Sequence, residues 1–300
     1  MNGKLTTEIF YNPGFEKQNG SPSFPFKKYK LIKNRLITGT TLEPKNFTGV
    51  PAVKPENLAL IHSENYINKA LRGTLPIEHR LQSELKYPQK AARVALKSCR
   101  ATYLSSRVAL NKGRGIFLGG GFTHAYKNKP GAFSVFNDVA YAAMKLSGLN
   151  KKVLILDCDL HQADGTIKIT GQDENIRILS FYSKEFYPLI KAKPDWGMEL
   201  NPSISGEKYN NVLAENLRKA LDNFHPDIII YIAGACGYKE DIFGNLNLKK
   251  KDFVKRDNVV LNLADSYNIP LAVLLGGGNA KNLKDTVDIH IATIKKAVRL

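Results

Sequence analysis

Five uninterrupted apolar runs constrain this chain more than any other feature: GIFLGGG (115–121), KVLILDCDL (152–160), IRILSFY (176–182), PDIIIYIAGA (226–235) and PLAVLLGGG (270–278). A strand with one wet face alternates apolar and polar residues, whereas a strand covered on both faces reads as continuous. Between most of the runs lie stretches with helical periodicity, at 87–110, 137–146, 206–224 and 249–267, and another at 281–298 closes the chain. This alternation predicts an α/β fold, a mainly parallel sheet flanked by helices on both faces. The first 85 residues are less regular, with proline at 13, 22, 25, 44, 51, 55 and 76, and no low-complexity linker sets them apart. They are expected to pack on the sheet within a single domain spanning 1–300.

Composition narrows the function classes. No stretch approaches the 18 or so uninterrupted apolar residues of a membrane span, and the opening MNGKLTTEIFYN lacks the apolar core of a secretory leader. Three cysteines, Cys99, Cys158 and Cys236, argue against a disulfide framework and for a reducing compartment. A cytoplasmic location is the expectation. The net charge of +17 fits either a lysine-rich solvated surface or an anionic partner such as nucleic acid. The lysines are spread along the chain rather than gathered in one arm, so sequence-specific nucleic-acid recognition is not expected; a salt-dependent binding assay separates the two readings.

In an open parallel sheet the ligand crevice lies beyond the carboxyl ends of the strands. The chemically unusual segments all fall there. GGGFTH follows the first run, DCDLHQADG the second, SFYSKEFYP the third, GACGYKED the fourth and GGGN the fifth. Within DCDLH, a buried strand ends in Asp157, Asp159 and His161, and buried ionised carboxylates are costly without a positive partner. Residues two apart in an extended segment point the same way, so Asp159 and His161 can grip one ion. Mixed oxygen and nitrogen donors suit a divalent transition metal, zinc above all. Cys236 reads either as a small buried hydrophobe or as a third ligand, which would leave zinc a fourth position for water. Cys158 alternates to the opposite side from Asp159 and reads as core. His124, after Gly119-Gly120-Gly121, is either a turn histidine without a role or a proton carrier oriented by Asp164.

The ordered series GGGFTHAYKNKPGAFSVFND, VLILDCDLHQADGT, ILSFYSKEFYP, GACGYKEDIFGNLNL and LLGGGN resembles the histone deacetylase superfamily, which includes zinc-dependent deacetylases and acetylpolyamine amidohydrolases. The likeness covers roughly 85–280, with a looser N-terminal match at IFYNPGF and FPFKKYKLI, and the GGGF and F-Y-P elements lean towards the class IV-like branch. It implies an arginase/deacetylase-like fold and a zinc-dependent hydrolase that removes an acyl group from an acyl-lysine protein or an acylated small amine. Position by position it implies Asp159, His161 and Cys236 as the zinc set, His124 as general base and acid, and Asp164 behind it. Asp157, with Ser180 and backbone carbonyls near Asp159, His161 and Phe181, would fall at a structural potassium site. Phe133 and Tyr187 would wall a narrow acyl-lysine tunnel, where buried methylenes contribute about 0.8 kcal/mol each, with Gly277 and Gly278 along its floor.

Departures from the family fall in four segments. Thr123 replaces the first histidine of a His-His pair, Cys236 replaces an aspartate ligand, Asn279 replaces the tyrosine that donates to the oxyanion, and HQADG carries Gln162 and Ala163. Cysteine keeps a ligand type. Asn279 is the graver change, since losing one oxyanion donor typically costs about 10²–10³ in rate; Tyr238, two residues beyond Cys236, is a candidate replacement. Two readings follow: an acyl-lysine hydrolase with a degenerate oxyanion position, or a pseudoenzyme of the same fold that binds metal or acyl-lysine as an interaction module.

Overall fold

The structure is a computed structural model that describes residues 8–17, 24–244 and 246–300; Pro22, and Asn245 within the fourth rim segment, lie outside them. Eight strands form one sheet in the order β2-β1-β3-β8-β7-β4-β5-β6. They are β1 (Ile9–Tyr11), β2 (Phe47–Thr48), β3 (Arg114–Leu118), β4 (Val153–Asp157), β5 (Ile176–Ser183), β6 (Trp196–Leu200), β7 (Ile228–Ile232) and β8 (Leu271–Leu274). Every pairing is parallel, so all strand carboxyl ends lie along one rim. The five predicted runs are the five contiguous central strands, β3-β8-β7-β4-β5. Three strands were not predicted. β1 and β2 extend one edge, so the N-terminal portion contributes to the sheet rather than only packing on it, and β6 extends the other.

The central strands earn their pattern from burial on both faces. Every residue of β4 and β7 is buried, although successive side chains point to opposite faces. Each fully buried Ile, Leu or Val contributes about 1.5–3 kcal/mol relative to exposure.

Nine α-helices occur among the described residues: α1 (Lys27–Gly39), α2 (Glu64–Arg72), α3 (Ile77–Gln82), α4 (Pro88–Lys112), α5 (Asp138–Ser147), α6 (Asp164–Thr170), α7 (Gly206–Phe224), α8 (Lys250–Ser266) and α9 (Leu283–Ala297). α4 packs on β3, β8 and α5, whereas α7, α8 and α9 pack in succession and α1 lies against α9. No helix among the described residues is long and apolar enough to cross a membrane. Local chemistry sets their starts. Ser205 caps α7 by accepting from Lys208 N at 3.2 Å, and Asn137 caps α5 by accepting from Ala140 N at 2.9 Å; each cap stabilises its helix by about 1 kcal/mol.

Candidate metal centre

The rim loops after β4, β7 and β8 meet at one point. One donor atom each from Asp159, His161 and Cys236 lies within 4.8 Å of the others, with Cys236 buried and the other two partly exposed. The backbone is shaped around this cluster. A Cβ built on Gly234 would stand 1.9 Å from Asp159 Oδ2, and one on Gly277 would stand 2.5 Å from Cys236 Sγ and 2.7 Å from Asp159 Oδ2. Glycine at these two positions leaves a cradle that any side chain would fill. Gly234→Ala is accordingly expected to lower the unfolding free energy by about 1–3 kcal/mol, as overpacking does; denaturant unfolding of the variant checks it.

Electrostatics explain how the carboxylate is tolerated. Burial opposes the ionised form of Asp159, but the hydrogen bond and charge of His161 outweigh it and hold the carboxyl below the ordinary range. His161 Nδ1 and N both donate to Asp159 Oδ1 at 3.0 Å, and Gly277 N donates to Oδ2 at 3.2 Å. For His161, burial pushes the imidazole down, and the Asp159 hydrogen bond and charge bring it above its usual value. Burial pushes the Cys236 thiol well up, and the nearby Asp159 and Asp241 carboxylates add to this while Lys28 opposes it. An oxygen, a nitrogen and a sulphur donor that suffer from unbalanced negative charge are the donor set a divalent transition metal joins. The residues present fit such an ion.

A cavity of about 150 Å³ opens above the cluster, lined among others by Phe24, Glu84, Thr123, His124, Phe133, Tyr187, Asp241, Phe243, Gly277, Gly278 and Asn279. The His124 ring stands edge-on to His161 at 6.4 Å and to Tyr187 at 4.9 Å between centroids. Its Nδ1 donates to Asp164 Oδ1 at 2.7 Å, and Tyr126 donates its hydroxyl to Asp164 Oδ2 at 2.6 Å. A histidine so held presents Nε2 as the free acceptor.

The loop carrying His124 is fixed from behind. Asn137, beyond capping α5, donates to Thr123 O at 2.8 Å and Ala125 O at 3.1 Å. His62 donates from Nδ1 to Tyr126 O at 2.9 Å and accepts from Asn137 N at 3.1 Å. Burial lowers the His62 pKa from 6.5 to about 4, so the folded protein keeps it neutral. The unfolded chain binds a proton below pH 6.5, so stability is fully present above that pH and is lost as pH falls towards 4. The loss amounts to about 3 kcal/mol at 1.36 kcal/mol per unit. His62→Gln is expected to flatten unfolding free energy between pH 4 and 6.5; an unchanged slope would contradict this.

Asp157 and Ser180 face each other in register across β4 and β5. Asp157 Oδ1 accepts from Asp159 N at 3.0 Å, while Asp157 Oδ2 and Ser180 Oγ are buried without a hydrogen-bond partner. Burial, reinforced by the Asp159 charge, pushes the Asp157 carboxyl well up. Two orphaned oxygens on adjacent strands fit a monovalent cation.

Two features of the sequence reading change here. Tyr238 does not turn towards the cavity: its hydroxyl donates to Asp285 Oδ2 on α9 at 3.4 Å, so it offers no replacement oxyanion donor. Gln162 is more than a departure. Its Oε1 accepts from Ala192 N at 2.6 Å and its Nε2 donates to Ala192 O at 3.1 Å, stapling the loop that carries Tyr187. Cys158 is buried.

Several residues escaped sequence reasoning. Lys28 is buried and donates to Gly276 O and Gly278 O at 3.1 and 3.2 Å, with burial lowering its pKa to about 8. His290 Nε2 donates to Gly277 O at 3.1 Å. All three carbonyls of Gly276-Gly277-Gly278 are thus held from behind. Asp241 accepts from Asn279 N at 2.5 Å and Phe243 N at 3.0 Å, tying two rim loops together. Its acidic neighbourhood GYKED was visible, but nothing in the spacing singled it out.

Comparison with known proteins agrees with this architecture. A histone deacetylase domain profile matches residues 23–294. An uncharacterised protein of Picosynechococcus is 28% identical over 89% of this chain and 90% of its own length. Histone deacetylase 2 of Arabidopsis thaliana is 28% identical over 86% of this chain and 70% of its own, and the acetoin utilization protein AcuC of Staphylococcus aureus is 25% identical over 84% and 70%. Two solved structures share the fold. One is an HDAC homologue complexed with SAHA (TM-score 0.82, 19% identity, 98% of this chain and 84% of that one). The other is an HDAC homologue from Aquifex aeolicus (TM-score 0.81, 18% identity, 97% and 84%). With the profile spanning most of the chain and the parallel sheet in place, this protein belongs to the histone deacetylase domain family.

Proposed function

We propose that this chain is a zinc-dependent amide hydrolase that removes an acyl group from acyl-lysine or a related acylated amine. The observation that carries the reading is the meeting of Asp159, His161 and Cys236 within 4.8 Å, across the cavity from a carboxylate-held histidine. Zinc held by these three residues would supply Lewis acidity towards the amide carbonyl and lower the pKa of a water. His124, with Nδ1–H committed to Asp164, takes a proton at Nε2 from the attacking water and returns it to the leaving amine. Tyr126 holds the second oxygen of Asp164, so the carboxylate stays aligned. Phe133 and Tyr187 flank the aliphatic stem, and Gly277 and Gly278 let it approach the backbone closely. Asp157 and Ser180 would hold potassium, fixing the end of β4 from which the Asp159 loop departs.

Asn279 favours a second reading. It stands where the family has its oxyanion-donating tyrosine, and its amide reaches less far, so turnover is expected to be slowed by about 10²–10³. In the limit the protein would bind metal or acyl-lysine as an interaction module without turning over. Zinc content of the purified protein, measured beside hydrolysis of acyl-lysine reporters of several acyl lengths, decides. Zinc with turnover supports the hydrolase, zinc without turnover the binding module, and a protein that takes up no zinc discards both zinc-based versions.

A further inference from the structure

Arg256 on α8 is wholly buried and lines no part of the cavity. Its neighbour Asp257 is equally enclosed, and the two form an ion pair at 2.9 Å. Asp257 Oδ1 also accepts from Tyr231 Oη on β7 at 2.6 Å, and Oδ2 from Thr293 Oγ1 on α9 at 2.6 Å. The guanidinium lies over the rings of Phe253 at 4.9 Å and Tyr231 at 5.7 Å. Nε and Nη2 face Asp257 Oδ1, while the fork also reaches beyond the pair: Nη1 donates to Gly234 O at 2.5 Å and Nη2 to Ala233 O at 3.4 Å.

Stability alone does not account for this arrangement, because a well-packed apolar cluster generally does as well as a buried ion pair or better. What an apolar side chain cannot do is hold two carbonyls at fixed positions. Those carbonyls belong to the segment between β7 and Cys236. Its Gly234 backbone abuts the Asp159 carboxylate so closely that a Cβ there would stand 1.9 Å from Oδ2. On its other side Ala235 N donates to Gly277 O at 3.1 Å. A shift of this segment therefore moves the Cys236 thiol relative to the Asp159 carboxylate.

We propose that Arg256, backed by Asp257, is a positioning residue for the metal centre: its grip on the Ala233 and Gly234 carbonyls sets the spacing of Cys236 and Asp159, and so the affinity for the metal. The inference rests on the reading of Asp159, His161 and Cys236 as ligands. It differs from a structural role in requiring metal binding to fall by more than stability explains.

The test uses the full chain stripped of metal. Zinc affinity is read by competition with a chromophoric chelator, cobalt(II) binding by its thiolate-to-metal absorption band, and stability by thermal melting. Arg256→Met is expected to weaken zinc binding about 10- to 100-fold, the usual range for residues that orient ligands, and to diminish the cobalt–thiolate band per bound ion. Arg256→Lys, which keeps the charge but not the fork, should fall between. Arg114→Met is the control: it removes another Arg–Asp pair, Arg114 with Asp265, and is expected to lower the melting temperature with metal affinity unchanged. Should Arg256→Met not fold, Arg256→Lys and Asp257→Asn decide. Folded Arg256 variants with wild-type affinity and an intact band would overturn the inference, as would a loss matched by the control at equal destabilisation. A wild-type chain that binds neither metal would instead remove the ligand assignment, and this inference with it.

Discussion

Replacing Cys236 with alanine is expected to take zinc content from about one per chain to under a tenth, and acyl-lysine hydrolysis to background. Three protein ligands are what a hydrolytic zinc site ordinarily keeps, and only Asp159 and His161 would remain. Nothing nearby takes the place of the sulphur. Asp241, the next carboxylate of the cavity, already accepts from Asn279 N and Phe243 N, and Gly277 carries no side chain. The informative partner variant is Cys236→Asp, which restores the family's usual ligand type. It is expected to regain zinc and recover turnover to within about tenfold, while losing the cobalt–thiolate band entirely. Metal analysis and reporter hydrolysis on both variants check this. Full zinc and full turnover in Cys236→Ala would exclude the thiol from the metal set.

The second large effect concerns the proton path. His124→Ala is expected to lower kcat by about 10²–10⁴, the range general acid–base catalysis contributes, with zinc content unchanged because His124 is not among the three proposed ligands. Asp164→Asn should lower kcat less, since an amide can still meet Nδ1 but no longer offers a charged acceptor to both His124 and Tyr126. A pH–rate profile separates this from simple damage to the cavity: in His124→Ala the limb reporting the base should vanish, not merely shift. Unchanged activity would mean that another group moves the proton.

The success of the sequence reading follows the physics of burial. β3, β4, β5, β7 and β8 lie side by side in the middle of the sheet and are buried along most of their length, so each is predominantly apolar and was legible. β1 has three residues, β2 two, and β6 carries the alternating pattern of a half-exposed edge. Short or alternating segments among prolines carry too little pattern to announce a strand. α6 was missed for the same reason: seven residues without a side-chain cap give less than two turns of periodicity.

The candidate site divides along similar lines. Asp159, His161, Cys236, His124 and Asp164 stood out as candidates because strand ends in a parallel sheet converge on one rim, and because their chemistry is out of place after an apolar run. Lys28, His290 and Arg256 were not, since each sits inside a helix where a charged or polar residue reads as a solvated face. That Lys28 and Arg256 are instead buried against backbone carbonyls depends on which loops pack beneath those helices.

By itself, then, the order of residues determined the layering, the central strands, the edge on which chemistry gathers and the residue types able to hold a cation. Tertiary structure alone decided that Tyr238 turns to α9, that Asp157 and Ser180 face each other with orphaned oxygens, and that buried cations grip the glycine loops. The reason is range. Burial pattern and donor chemistry are properties of a residue and its near neighbours, whereas the direction of a side chain and the partner it meets are fixed by contacts between segments tens to hundreds of residues apart.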